Sequence, residues 1–162
     1  MTPVNIEPVP APTDELRALI FELDSELAVA YTTEQMHGLT LNSLFAGHIQ
    51  MFIARIDGAP VGCGGLALFD GYAEVKRMFV RPAGRGSGVA QALLAHIEDA
   101  ARTAGVPWLR LETGIRQPAA IRLYESAGFH PCAAFGAYTT MAPAAIKLSL
   151  FYEKSLRDPG AG

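Results

Sequence analysis

Val80-Arg81-Pro82-Ala83-Gly84-Arg85-Gly86-Ser87-Gly88-Val89-Ala90 is the end of a strand running into a glycine-rich loop that becomes the start of a helix. Closely spaced glycines let a backbone approach a ligand, and the unpaired N–H groups of a first helical turn point toward it. The segment reads as an anion site, suited to a pyrophosphate. On glycine spacing alone it reads equally as an ordinary turn with Arg85 in solvent. Two common phosphate fingerprints do not fit: G-x-x-x-x-G-K-[ST] is absent, and G-x-G-x-x-G fails because Gly86-Ser87-Gly88 is followed by Val89, Ala90 and Gln91.

Toward the amino terminus, two β-rich runs at 50–56 and 61–69 flank Asp57-Gly58, a strong hairpin signal, and Asp70-Gly71 leads to a third run at 73–80. Three consecutive antiparallel strands are expected. Before them come a strand at 5–9 and an amphipathic helix on which Leu16, Leu19, Ile20, Leu23 and Leu27 share a face behind an acidic start, Thr13-Asp14-Glu15. Thr32-Thr33-Glu34-Gln35 resembles a capping box and opens a second helical stretch to about Phe45, interrupted by Gly38.

Toward the carboxyl terminus, Val89, Leu93, Ile97, Ala100 and Ala104 mark the buried stripe of a helix closed by Gly105. A strand is expected at 108–113. Pro118 then opens a helix with Ala120, Leu123, Tyr124 and Ala127 on one face and Gly128 at its end. Two last β-like runs, 130–135 and 148–154, complete the order βααβββαβαββ. This is an α/β (α+β) mixed sheet with helices on its faces.

Half of the 162 residues are apolar and 18% are charged, which suits one globular domain spanning residues 1–162. Thirteen Lys+Arg against sixteen Asp+Glu give a net charge of -3, so neither nucleic acid nor an anionic membrane is expected as partner. The opening Met1-Thr2-Pro3-Val4-Asn5-Ile6-Glu7-Pro8 has neither a basic n-region nor an unbroken apolar run, and a cytoplasmic protein is expected. Cys63 and Cys132 read as small hydrophobes, and His37, His48, His96 and His130 share no ligand spacing, so no metal is expected. Pro-rich residues 8–12 and the Pro-Gly tail at 158–162 are the low-complexity stretches.

Two segments together resemble the GNAT superfamily of N-acetyltransferases. The family loop Arg/Gln-x-x-Gly-x-Gly/Ala becomes Arg85-x-x-Gly88-x-Ala90, and the second segment is Leu111-Glu112-Thr113-Gly114 followed by Gln117-Pro118-Ala119-Ala120-Ile121-Arg122-Leu123-Tyr124-Glu125-Ser126-Ala127-Gly128-Phe129. The well-matched stretch covers 61–129. Gln117 departs from the Asn that many members carry. The resemblance implies a GNAT-like, mostly antiparallel sheet with helices on both faces, and acetyl-CoA as cosubstrate.

It further implies that the backbone of Met78, Phe79 and Val80 meets the pantetheine arm and thioester. The amides of Arg85, Gly86, Ser87, Gly88, Val89 and Ala90 would hold the pyrophosphate, with Gln117 and Tyr124 also at the cosubstrate. A neutral primary amine would attack the thioester directly in a ternary complex, with no metal. Tyr124 matches the family's general acid; a phenol with reference pKa about 10 is a reasonable donor to a thiolate whose own value is about 8.5.

Glu74 resembles the carboxylate that some members use as general base. It reads equally as an exposed carboxylate pairing with Lys76 or Arg77, and strict strand alternation puts Lys76 on its face and Arg77 on the other. Glu112 reads as structural. Residues 135–147, with Tyr138 and Met141, either wall the acceptor pocket or form a long hairpin loop. The family often forms homodimers, for which the apolar run 148–152 offers a surface unless it is internal. Besides a small-molecule acetyltransferase, a protein or peptide acetyltransferase and a silent acyl-CoA-binding module stand as alternatives.

Overall fold

The hairpin signal at Asp57-Gly58 is a two-residue turn with positive φ at both positions, 52° and 81°, the backbone hand that matches strand twist. It joins β2 (Ile49–Ile56) to β3 (Ala59–Phe69), and Asp70-Gly71 joins β3 to β4 (Tyr72–Val80). The computed structural model describes residues 2–32, 35 and 40–157. With β1 (Asn5–Val9), β5 (Trp108–Gly114), β6 (His130–Pro131) and β7 (Ser149–Ser155), these strands form one seven-stranded sheet in the order β1-β2-β3-β4-β5-β7-β6. Pro8 lies in the edge strand β1, where a missing N–H leaves no gap inside the sheet. The β4–β5 pair is parallel and every other pair is antiparallel.

Helices cover both faces. The Thr13 hydroxyl accepts from the Leu16 amide at 3.2 Å and starts α1 (Asp14–Ala30). The Leu16, Leu19, Ile20 and Leu23 stripe then packs with Met51, Ile53, Cys63 and Phe79. Fully buried leucines of this kind stabilise by about 2 kcal/mol each before entropy is counted. On the other face, α2 (Val89–Thr103) buries Val89, Leu93, Leu94 and Ile97, and α3 (Pro118–Ser126) adds Tyr124 to the same cluster.

Two expectations are corrected. In the second helical stretch the Thr32 amide donates to Gln35 Oε1 at 2.9 Å, one half of a capping box. Residues 33, 34 and 36–39, including His37 and Gly38, lie outside the described residues, as does the 158–162 tail. Of the described residues near the end of that stretch, Asn42–Phe45 form a 3-10 turn in place of α-helix, with Leu44 buried. The strand expected at 130–135 pairs with β7 only at His130–Pro131, plus one bond from the Cys132 amide to the Phe151 carbonyl at 2.9 Å. The chain then turns through Gly136–Thr140 and α4 (Pro143–Ile146), because Phe135 and Tyr138 leave the ladder to pack on Phe151. Of the run at 148–152, Phe151 and Tyr152 are buried and lie between β5 and the short β6, whereas Ser149 and Leu150 pair with β5 alone.

Candidate active site

Strands β4 and β5 pair only at Ala73↔Leu109 and Glu74↔Arg110. Beyond these two rungs they part, and the rest of β4 faces an opening instead of a ladder partner. The same stretch of β4 carries a bulge. Gly65 pairs with Lys76 and Cys63 with Phe79, so Gly64 stands opposite both Arg77 and Met78, and Arg77 takes φ 53°. The bulge breaks the alternation that would have sent Lys76 and Arg77 to opposite faces. Arg77 instead turns toward α1, where its guanidinium pairs with Asp24. Its Nε is buried with no hydrogen-bond partner among the described residues.

Two cavities meet at the opening. The larger, about 560 Å³, runs along Met78, Phe79 and Val80 to the loop and the start of α2, with α3 as its other wall. Gly88 is the N-cap of α2 at φ 80° without a side-chain cap, so the first-turn amides of Val89 and Ala90 have no intrahelical partner. Gly86 has φ 81°, and a Cβ added at Gly86 or Gly88 would meet nothing within 4 Å. The glycines are called for by their left-handed conformation, and the space before them is open. Arg85, Gly86, Gly88, Val89 and Ala90 line this cavity, whereas Ser87 is exposed and does not. The Arg85 guanidinium is held by Glu26 at 2.7 Å and the Val80 carbonyl at 3.0 Å, leaving backbone amides as the loop's inward-facing donors.

The smaller cavity, about 160 Å³, lies between the C-terminal half of α1, the splayed strands and the 136–140 turn. Leu23, Met78, Gln117, Ala120 and Tyr124 line both cavities and mark their junction. Tyr124 is buried, and desolvation, then the nearby Glu112 carboxylate, push its phenol above the ordinary tyrosine range. It stays a proton donor throughout neutral and mildly alkaline pH. Gln117 caps α3 just before Pro118, and its amide donates to the Gly114 carbonyl at 3.1 Å.

Glu74 is 4% exposed, not the solvated strand residue that one reading of the sequence allowed. Its Oε2 accepts from the Tyr138 hydroxyl at 2.7 Å and pairs with Lys76 Nζ at 2.9 Å. Burial, then the Glu74 charge, raise the Tyr138 phenol. Glu112 also faces the smaller cavity and accepts from Ser149 Oγ at 2.6 Å. Tyr31, Asp24 and Ser149 carried no motif in the sequence. They enter the site through the docking of α1 and β7, and local spacing contains no signal for that.

The sequence profile of the Acetyltransferase (GNAT) family matches residues 16–129. A protein of Azospirillum brasilense described as an IAA acetyltransferase is 44% identical over 145 residues, 88% of this chain and 92% of that one. The N-acetyltransferase YsnE of Bacillus subtilis, described as uncharacterized, is 36% identical over 65% of this chain and 72% of its own length. Among solved structures, a Klebsiella pneumoniae protein described as an acyl-CoA N-acyltransferase superposes with a TM-score of 0.77 at 33% identity, covering 95% of this chain and 98% of that one. A glycine-rich loop opening on a cavity at a helix start, a splayed parallel strand pair and these kinships agree: the chain belongs to the GNAT acetyltransferase family, acyl-CoA-dependent N-acyltransferases with acetyl-CoA as cosubstrate.

Proposed function

We propose that this acetyltransferase carries the acetyl group to a primary amine of a small molecule by direct attack in a ternary complex. The observation that carries the reading is the junction of two unequal cavities at Met78, Gln117 and Tyr124. The larger fits an extended nucleotide thioester, because its walls offer unpaired amides at one end and strand backbone along the other. The smaller, at about 160 Å³, suits an acceptor of few atoms better than a peptide. The name of the Azospirillum brasilense relative, IAA acetyltransferase, supports a small acceptor as well.

Acetyl-CoA supplies the activated thioester and the thiolate leaving group; the protein supplies position and protons. The backbone of Met78, Phe79 and Val80 beside the splay aligns the pantetheine arm. The amides of Arg85, Gly86, Gly88, Val89 and Ala90 hold the pyrophosphate, Ser87 lying off the cavity, and Gln117 borders the acetyl end. Tyr124 protonates the sulfur as the thiol leaves, since burial keeps the phenol in its protonated form up to that step. Glu74 takes the proton of the incoming amine, directly or through a water.

A screen for release of free CoA thiol, with amino acids, small aryl and alkyl amines, polyamines and short peptides as acceptors, tests the assignment. Turnover is expected with small amines and not with peptides. Peptide-selective release would favour a protein acetyltransferase, and no release with any acceptor would favour a silent binding module.

A further inference from the structure

The hydroxyl of Tyr138 is 64 residues from Glu74 in sequence, yet it donates to Glu74 Oε2 at 2.7 Å and accepts from Lys76 Nζ at 3.2 Å. With the Lys76–Glu74 contact at 2.9 Å this closes a three-membered ring of polar atoms on the wall of the smaller cavity. All three side chains are withdrawn from bulk water: the side chains of Lys76 and Glu74 are 14% and 5% exposed, and Tyr138 is 7% exposed. Both donors converge on Oε2. Oε1 takes no bond from the described residues and is not sealed off, leaving it as the oxygen that an amine or a water can reach.

Tyr138 is itself rigidly held. Its ring makes edge contacts with Phe135 and Phe151 at centroid distances of 5.3 and 5.2 Å, and Lys76 Nζ lies 5.5 Å from the ring centroid. The turn Gly136–Thr140 that carries it is anchored by Phe135 and by the Gly136 backbone, where a Cβ would stand 2.6 Å from the Tyr72 hydroxyl. A carboxylate with free χ angles presents its two oxygens interchangeably. One whose Oε2 is pinned by a phenol and an ammonium presents a single oxygen in a single direction.

We infer that Tyr138 is a positioning residue for the amine-deprotonating step, pinning Glu74 Oε2 with Lys76 so that Oε1 faces the acceptor. The inference rests on Glu74 being the base. Tyr138 touches neither the thioester nor the amine in this role and acts only through the carboxylate. The 136–140 turn thereby joins the acceptor side of the site, although it belongs to the connection between β6 and β7.

The test compares Tyr138→Phe, Glu74→Gln and the double variant, with Lys76→Met in parallel, using the most active amine from the thiol-release screen. Tyr138→Phe keeps the ring and removes the hydroxyl, so the acetyl-CoA-dependent rise in Tm is expected to be unchanged. Its kcat/KM for the amine is expected to fall roughly tenfold at neutral pH, about the rate equivalent of one charge-assisted hydrogen bond. The acidic limb of the pH profile is expected to move to higher pH, since the ionised carboxylate has lost a donor. In the Glu74→Gln background, removing the hydroxyl is expected to cost nothing further. Lys76→Met removes the other donor and is expected to shift the limb the same way, which keeps the clamp testable should Tyr138→Phe fold poorly. A Tyr138→Phe loss that is equal at every pH, or additive with Glu74→Gln, overturns the inference, as does no loss at all while Glu74→Gln is impaired. An inert Glu74→Gln overturns the base assignment and this inference with it.

Discussion

The Tyr31 ring packs against the backbone of Gly114 so closely that a Cβ at position 114 would overlap its hydroxyl oxygen and stand 2.5 Å from Cζ. The same hydroxyl accepts from the Arg116 amide at 2.8 Å, and the Arg116 guanidinium reaches back to the Ala30 carbonyl at 2.7 Å. The end of α1 is thus clasped to the end of β5 at the mouth of the smaller cavity. Gly114→Ala should push the ring away at a cost of about 1 to 3 kcal/mol, the usual range for overpacking. We expect a lower Tm and a higher KM for the amine, with acetyl-CoA binding retained. In Tyr31→Ala/Gly114→Ala the clash is gone, so the double variant should lose less stability than the sum of the two singles. Unchanged Tm and KM in Gly114→Ala would mean that the ring yields freely and constrains nothing.

Gly88 stands at φ 80° with open space before it, so a side chain there strains the backbone and fills room a pyrophosphate would need. Acetyl-CoA at a hundredfold excess over its Kd should stabilise the parent by about 2.7 kcal/mol, visible as a concentration-dependent Tm. Gly88→Val is expected to abolish that response. Gly88→Asn, whose side chain tolerates the left-handed region, separates the two effects by melting near the parent without ligand while still failing to respond. Parent-like affinity in both variants would put the pyrophosphate elsewhere.

Tyr124→Phe removes a buried phenol whose proton is held by desolvation and by Glu112. Turnover measured under single-turnover conditions should drop by about 10²- to 10⁴-fold, the usual contribution of a general acid, while the acetyl-CoA-dependent Tm shift persists. Because the phenol is raised, the parent should show no loss of this acid between neutral pH and about 10, the ordinary tyrosine value. A variant slowed less than a few-fold, with chemistry still rate-limiting, assigns the hydroxyl to packing.

Cys63 is fully buried, its Sγ donating to the Arg77 carbonyl at 3.5 Å, and desolvation raises its thiol from 9.0 to about 12. Unfolding therefore releases a proton between those values, and the stability that Cys63 contributes is complete below pH 9 and lost as pH rises toward 12. The expected slope is about 1.4 kcal/mol per pH unit in that window. Urea melts of the parent and of Cys63→Ala across this range should show a shallower alkaline decline in the variant. Parallel declines would trace the alkaline lability to other groups, the buried Tyr124 and Tyr138 first.

Much of the fold is legible in the sequence because its signals are local. The turns at Asp57-Gly58 and Asp70-Gly71, the leucine stripe of α1 and the glycine spacing before Val89 each depend on residues a few positions apart. The strand expected at 130–135 stops short although Phe135 keeps an extended backbone, because its ring packs on Tyr138 and Phe151 and the chain turns at Gly136 instead of continuing the ladder. The candidate site is legible where it is backbone: Met78, Phe79, Val80 and the loop from Arg85 to Ala90 need only a strand, glycines and a helix start.

The sequence by itself determined the order of most strands and of the three long helices, the glycine-rich loop before α2 and the family, since periodicity, turn chemistry and motif spacing are carried along the chain. Only the tertiary structure decided what surrounds the chemistry. The bulge that turns Arg77 toward Asp24 depends on the β3–β4 register, and the Tyr31–Gly114 clasp depends on how α1 lies on the sheet. The Glu74–Lys76–Tyr138 ring depends on a turn 64 residues downstream folding back over β4. Contacts of that sequence separation are selected by packing and by the cost of leaving buried polar groups unpaired, two quantities that exist only once the chain has closed on itself.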